Sequence, residues 1–139
     1  MNLSYFVLID TDFREHETFQ LALDESGHLC DLVSYFEGGE AIKMFNSHFG
    51  GIPNYIFIGS DSVGQTDLEL FKAIKEIVGF NRVQIVLYTS KVSLSDILKA
   101  DDLGVSYIIL KQADKSGLSK ILRALLTKSI LPFYMSGVL

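Results

Sequence analysis

Asp10-Thr11-Asp12, Gly59-Ser60-Asp61, Thr89-Ser90 and Lys111-Gln112 each follow directly on a short apolar run of the chain. Carboxylates, hydroxyls and one ammonium gathered at a single place form a phosphoryl-handling set. The carboxylates would hold Mg2+, which prefers oxygen ligands, and the hydroxyl and ammonium would take the phosphoryl oxygens. Other chemistries have little footing here, because no nucleophile–base pair and no glycine-rich phosphate loop is visible. His16, His28 and His48 are not spaced as a ligand pair and are expected at the surface or rim. Cys30 is the single cysteine, which gives neither a disulfide framework nor a multi-thiolate metal site and fits a reducing cytoplasm. Catalysis of a small-molecule reaction is therefore not expected.

The four segments lie far apart in sequence, so the set exists only if the fold brings them to one end. Apolar runs of strand length occur at 4–9, 29–36, 55–58, 82–88 and 106–110, and stretches with helical spacing separate them. Asp12 is placed to cap the first helix, with Glu15 three residues on as its capping-box partner and Gly27 as the stop. Ala41, Ile42, Phe45 and Phe49 mark the second helix. Leu68, Phe71, Ile74, Ile77 and Val78 mark the third, up to Gly79. A short fourth helix ends at Gly104, and a fifth runs from Lys115 to Ser129. Strands that are apolar throughout, rather than alternating, imply burial on both faces. Five β–α units in strict alternation then predict an α/β fold with a doubly wound, five-stranded parallel sheet. Ligands of such sheets sit outside the carboxyl ends of the strands, where the four segments fall.

The 139 residues suit one domain, taken as 1–129, followed by an apolar tail, 130–139. Pro132 should end the last helix, and the tail LPFYMSGVL has no charged side chain. Such a tail either packs back on its own domain or docks on a partner or second copy. The net charge of −5 with interleaved signs leaves no nucleic-acid footprint. No apolar stretch approaches the ~20 residues of a membrane span, and no basic flank or cleavage site marks a signal peptide. The expected location is the cytoplasm.

With these segments in place, the chain resembles the receiver domains of two-component response regulators, from Ser4 to Leu126. LIDTD (8–12), ESGHLCDLVSYFEGGEAIKMF (25–45), VGQTDLELFKAIK (63–75), IVLYTS (85–90) and GVSYIILKQ (104–112) carry the likeness in register. The resemblance implies the flavodoxin-like (βα)5 receiver fold with strand order 2-1-3-4-5. It also exposes departures. The family's first acidic position is kept at Asp10, the second falls on Thr11, and the phospho-accepting aspartate falls on Gly59. The hydroxyl and the lysine are kept at Thr89 and Lys111. The proline after the lysine is Gln112, and the proline after the acceptor loop is Val63. This is the pattern of a pseudo-receiver. Glycine supplies no nucleophile, and Mg2+ binding is expected to be weak or absent, with Asp10 the one remaining candidate ligand. The expected partner of Lys111 is Asp10 or Asp61. Asp61 lies two residues beyond Gly59, roughly 6.6 Å along an extended chain; in the family that loop position lends a backbone carbonyl to the metal.

The expectation is a stand-alone, receiver-like signalling domain with no attached output domain, acting as a phosphorylation-independent protein-interaction module. Its partners would be signalling proteins such as a histidine kinase or another receiver, with a homodimer as one form. The surface that receivers use for output would here draw on Val92, Leu94, Tyr107, Ile108 and Leu110. A different class of reading is a small-anion or nucleotide binder using Lys111, Thr89 and Ser90, and a third is a phosphoacceptor working through Asp61. Plainer readings stand beside these. Gly59 simply terminates its strand, Thr89 caps a turn, Lys111 is solvated, and Glu15, Glu17, Asp101 and Asp102 are solvated helix faces.

Overall fold

A computed structural model describes residues 4–112, 114–127 and 131–136. The elements run β1 (Ser4–Ile9), α1 (Phe13–Glu25), β2 (Cys30–Tyr35), α2 (Gly38–Ser47), β3 (Tyr55–Ser62), α3 (Gln65–Lys75), β4 (Gln84–Lys91), α4 (Leu94–Leu103), β5 (Tyr107–Leu110), α5 (Lys115–Leu126) and β6 (Tyr134–Met135). All strand pairs are parallel, and the order across the sheet is β2-β1-β3-β4-β5-β6. The doubly wound α/β architecture is as the apolar pattern predicts, and the order of the first five strands is as the family resemblance implies. Among the described residues the sheet has six strands rather than five. The sixth comes from the tail, whose Tyr134 and Met135 pair with Ile108 and Ile109.

Alternation along the strands explains why they read as continuous apolar runs. Val7, Ile9, Ile56, Ile58, Ile85, Leu87 and Ile108 face one core, with α2, α3 and α4 packed over it. Phe6, Leu8, Tyr55, Phe57, Val86, Tyr88 and Ile109 face the other, covered by α1 and α5. Both faces are buried, so both residue parities are apolar. A fully buried Phe, Leu or Ile contributes about 1.5–3 kcal/mol relative to an exposed one, and the strands and the helices covering them both supply such residues. The second core is rich in edge-on rings, with Phe19 4.9 Å from Phe57 and Phe6 5.0 Å from Tyr55 between centroids.

Several boundaries move. β3 does not end at Gly59; it runs on to Ser62, with Gly59 opposite Tyr88 and Ser60 opposite Thr89. β4 likewise continues to Lys91, which puts Thr89 and Ser90 inside a strand. α2 stops at Ser47, where His48 adopts a left-handed conformation (φ 60°), so Phe49 lies beyond the helix and is exposed. α3 stops at Lys75; Ile77 is still buried, but Val78 faces solvent. α5 is described to Leu126; residues 128–129 of its expected continuation, with 130 and 137–139 of the tail, lie outside the described residues.

Candidate functional site

Asp10 is the first residue after β1, tied to the neighbouring strand by its amide, which donates to the Tyr35 carbonyl at 3.0 Å. Its side chain is 3% exposed, and both carboxylate oxygens are engaged. Oδ1 accepts the Asp12 amide at 2.8 Å, and Oδ2 accepts Lys111 Nζ at 2.9 Å. Lys111 follows β5 and is held by its own amide, which donates to the Thr89 carbonyl at 2.8 Å. Its side chain is only 8% exposed. Glu15 Oε1 stands 3.8 Å from the same ammonium, and the Tyr88 ring centroid lies 5.7 Å away. Desolvating such a pair is costly, and good geometry with a further hydrogen bond from the Asp12 amide offsets it.

Gly59 supplies the room. A Cβ built on its backbone would overlap Asp10 Oδ2 and come within 2.7 Å of Asp10 Cγ. Its backbone has ordinary, negative-φ geometry, since among the described glycines only Gly27, Gly51, Gly79 and Gly104 have positive φ. The glycine is therefore explained by close approach of a neighbouring side chain, not by chain reversal. It neither ends β3 nor marks a turn.

The expected capping box at α1 is half present. The Asp12 carboxylate accepts the Arg14 amide at 2.9 Å, an N-cap bond that holds its carboxyl below the usual range. The reciprocal partner is different, because the Asp12 amide goes to Asp10 and Glu15 turns toward Lys111. Glu15 is thus not a solvated helix face, and burial raises its carboxyl above the ordinary value. His16 overturns the surface expectation as well. It is 6% exposed, its Nε2 donates to the Asp10 carbonyl at 2.8 Å, and its ring lies 4.4 Å from Phe36. Position five residues after Asp10 for Glu15, and six for His16, points both back over the strand end from the first turn of α1. That helical geometry is the one sequence signal for their roles.

The other expected residues separate. Thr89 is fully buried; its hydroxyl donates to the Lys91 carbonyl at 3.0 Å and accepts Ser60 Oγ at 3.4 Å. Thr11, Asp61 and Ser90 are exposed. Asp10, Gly59 and Lys111 are thus brought into contact, with Glu15 beside them. Asp67 at the start of α3 was not singled out from the sequence. It is half-buried, its Oδ2 accepts the Gly64 amide at 3.1 Å, and burial pushes its carboxyl up. Among the five residues of the expected output surface, Ile108 is fully buried and donates its amide to the Phe133 carbonyl at 2.8 Å. Leu94 is largely exposed, and Val92, Tyr107 and Leu110 are half-buried.

Solved structures of receiver domains superpose on most of this chain. The phosphorylated cyanobacterial phytochrome response regulator RcpA aligns with a TM-score of 0.75 at 21% identity, over 94% of this chain and 99% of its own. A signal receiver domain of a two-component histidine kinase from Clostridium thermocellum gives 0.73 at 20%, over 88% and 97%. The chemotaxis protein CheY4 of Vibrio cholerae gives 0.72 at 16%, over 88% and 98%. This is the receiver fold. The Asp10–Lys111 pair therefore sits toward the carboxyl ends of the receiver sheet, where β1 and β5 finish beside Gly59 of β3. No protein-family model and no curated protein matches the sequence. No helix among the described residues is long and apolar enough to cross a membrane.

Proposed function

We propose that this chain is a receiver-like signalling module of the two-component type that engages protein partners without aspartyl phosphorylation. The observation that carries this reading is the overlap of Asp10 with the place of a residue-59 side chain. At the position that resembles the family's phosphoacceptor, the chain has no side chain, and a second carboxylate fills the space in front of it. That carboxylate is itself buried and bound to Lys111. A nucleophile must reach a donor phosphorus in line, and neither residue meets that need.

The residues present do not fit a Mg2+ ion. Thr11 has a neutral side chain, Gly59 has none, and both Asp10 oxygens already accept hydrogen bonds. An ion that demands near-octahedral oxygen ligands would have to displace Lys111. Asp61 is exposed on the extended end of β3, away from the Asp10–Lys111 contact along the strand, which favours a solvated surface residue over a substitute acceptor. The reading is of a binding module rather than an enzyme, working in the cytoplasm with a histidine kinase, another receiver or a second copy as partner.

Incubation with radiolabelled acetyl phosphate and Mg2+ tests this directly. The expected result is no acid-labile, hydroxylamine-sensitive label. Stoichiometric label at Asp61 or Asp10 would overturn the proposal.

A further inference from the structure

The strand ends hold a second feature, which does not depend on whether the protein is phosphorylated. A cavity of about 420 Å³ opens beside the Asp10 pair, between the ends of β1 and β3 and the starts of α2 and α3. In the strand order β2-β1-β3 this is the place where the chain winds to opposite sides, the usual ligand crevice of a doubly wound sheet. Its volume lies within the range of small-molecule sites. Ile9, Ile58 and Leu70 give it apolar walls, while Glu37, Asp67 and Glu69 bring carboxylates, and among the described residues no Lys, Arg or His lines it. The charge of Asp10 is matched by Lys111, so the unmatched charge of the lining belongs to those three side chains.

Two residues here cost the fold something that the described contacts do not return. Glu37 is the N-cap of α2, yet its side chain makes no capping hydrogen bond; Ser, Thr, Asp or Asn would serve the helix better. Gly39 lies in the first turn of α2 without positive φ, and a Cβ on it would meet nothing within 4 Å. Alanine there would strengthen the helix. What Gly39 leaves is open space in the cavity wall.

We infer that this cavity binds a small organic cation, an apolar body carrying a protonated amine, with the body against Ile9, Ile58 and Leu70 and the ammonium at Glu37, Asp67 and Glu69. The sign is opposite to that of the anion site that Lys111, Thr89 and Ser90 suggest in the sequence. Lys111 is spent on Asp10 and Thr89 is buried, so neither is offered to an anion. An ammonium beside Asp67 would also offset the burial that now disfavours its charge.

The probe is phenethylammonium chloride, titrated into uniformly 15N-labelled protein, with phenylacetate as the anion of similar shape. Saturable amide shifts at Gly38, Gly39, Gly59 and Asp67 are expected with the amine, and affinity at least about tenfold weaker with phenylacetate. Glu37→Gln/Asp67→Asn should weaken amine binding about tenfold or more. Gly39→Leu, which fills the wall without burdening the helix, should abolish the shifts. Shifts that fail to saturate, equal binding of phenylacetate, or unchanged binding by Gly39→Leu would each overturn the assignment.

Discussion

The carboxylate of Asp10 lies in the space that any side chain on residue 59 would enter, and it reaches Lys111 across that space at 2.9 Å. Glycine and aspartate are therefore a matched pair. The bare Cα of Gly59 is the condition under which Asp10 can fold over β3, and the buried ammonium of Lys111 is what holds it there.

Gly59→Ala should lower stability by about 1–3 kcal/mol, the ordinary cost of forcing extra volume into a packed place. Urea unfolding of the variant measures it. In an Asp10→Ala background the same change should cost much less, because the group it collides with has gone. An equal cost in both backgrounds would mean that the two residues do not compete for the space.

Lys111→Met should cost more, about 3–5 kcal/mol, because it leaves the Asp10 carboxylate buried with the Asp12 amide as its remaining donor. Adding Asp10→Asn removes the stranded charge and should recover a large part of the loss. The comparison needs single and double variants in one denaturant series. No recovery would assign the loss to packing of the lysine stem instead.

Part of this arrangement was legible beforehand, and part was not. The doubly wound parallel sheet, the helix faces and the placement of Asp10 and Lys111 at one end follow from apolar spacing, because continuous apolar runs and 3.6-residue periodicity report burial directly. The strand order comes from the family resemblance. The extension of β3 through Gly59 was not legible, since glycine and three polar residues carry no burial signal; pairing with β4 decides it. β6 was hidden for another reason. Two paired residues after a proline do not read as a strand, and only the free edge of β5 makes them one. Glu15 and His16 look like polar helix residues, and their burial comes from the tertiary position of the first turn of α1 over the end of β1.

Stability should depend on pH through Asp67 and Glu15. Burial raises both carboxyls above their ordinary values of 3.8 and 4.5, so the folded chain keeps protons that the unfolded chain has released. Their contribution is fully present below those values and is lost as pH rises through the raised ones. Asp67→Asn keeps an acceptor for the Gly64 amide but cannot titrate. Relative to the unmodified chain, its stability should therefore improve as pH rises from about 3.8 across the window and then level off. Asp12, lowered mainly by the Arg14 amide, acts in the opposite sense and cancels in the difference. Unfolding midpoints over a pH series provide the check, and a difference that does not vary with pH would contradict it.

Met135→Ala should cost about 2–5 kcal/mol, because Met135 is 3% exposed against the second core. The amide of Ile108, which donates to the Phe133 carbonyl, should lose hydrogen-exchange protection in parallel. Loss of protection confined to α5, with Ile108 unchanged, would argue against β6 as the cover of β5.

The central claim is that the site has no acceptor to offer and no place for a metal, and beryllofluoride with Mg2+ addresses both at once. Amide spectra should stay unchanged at Asp10, Gly59, Asp61, Thr89 and Lys111 up to about 10 mM Mg2+, well above the millimolar range of weak binding. Saturable shifts centred on those residues would show that an acyl-phosphate mimic and its metal still bind, and the phosphorylation-independent account would fail.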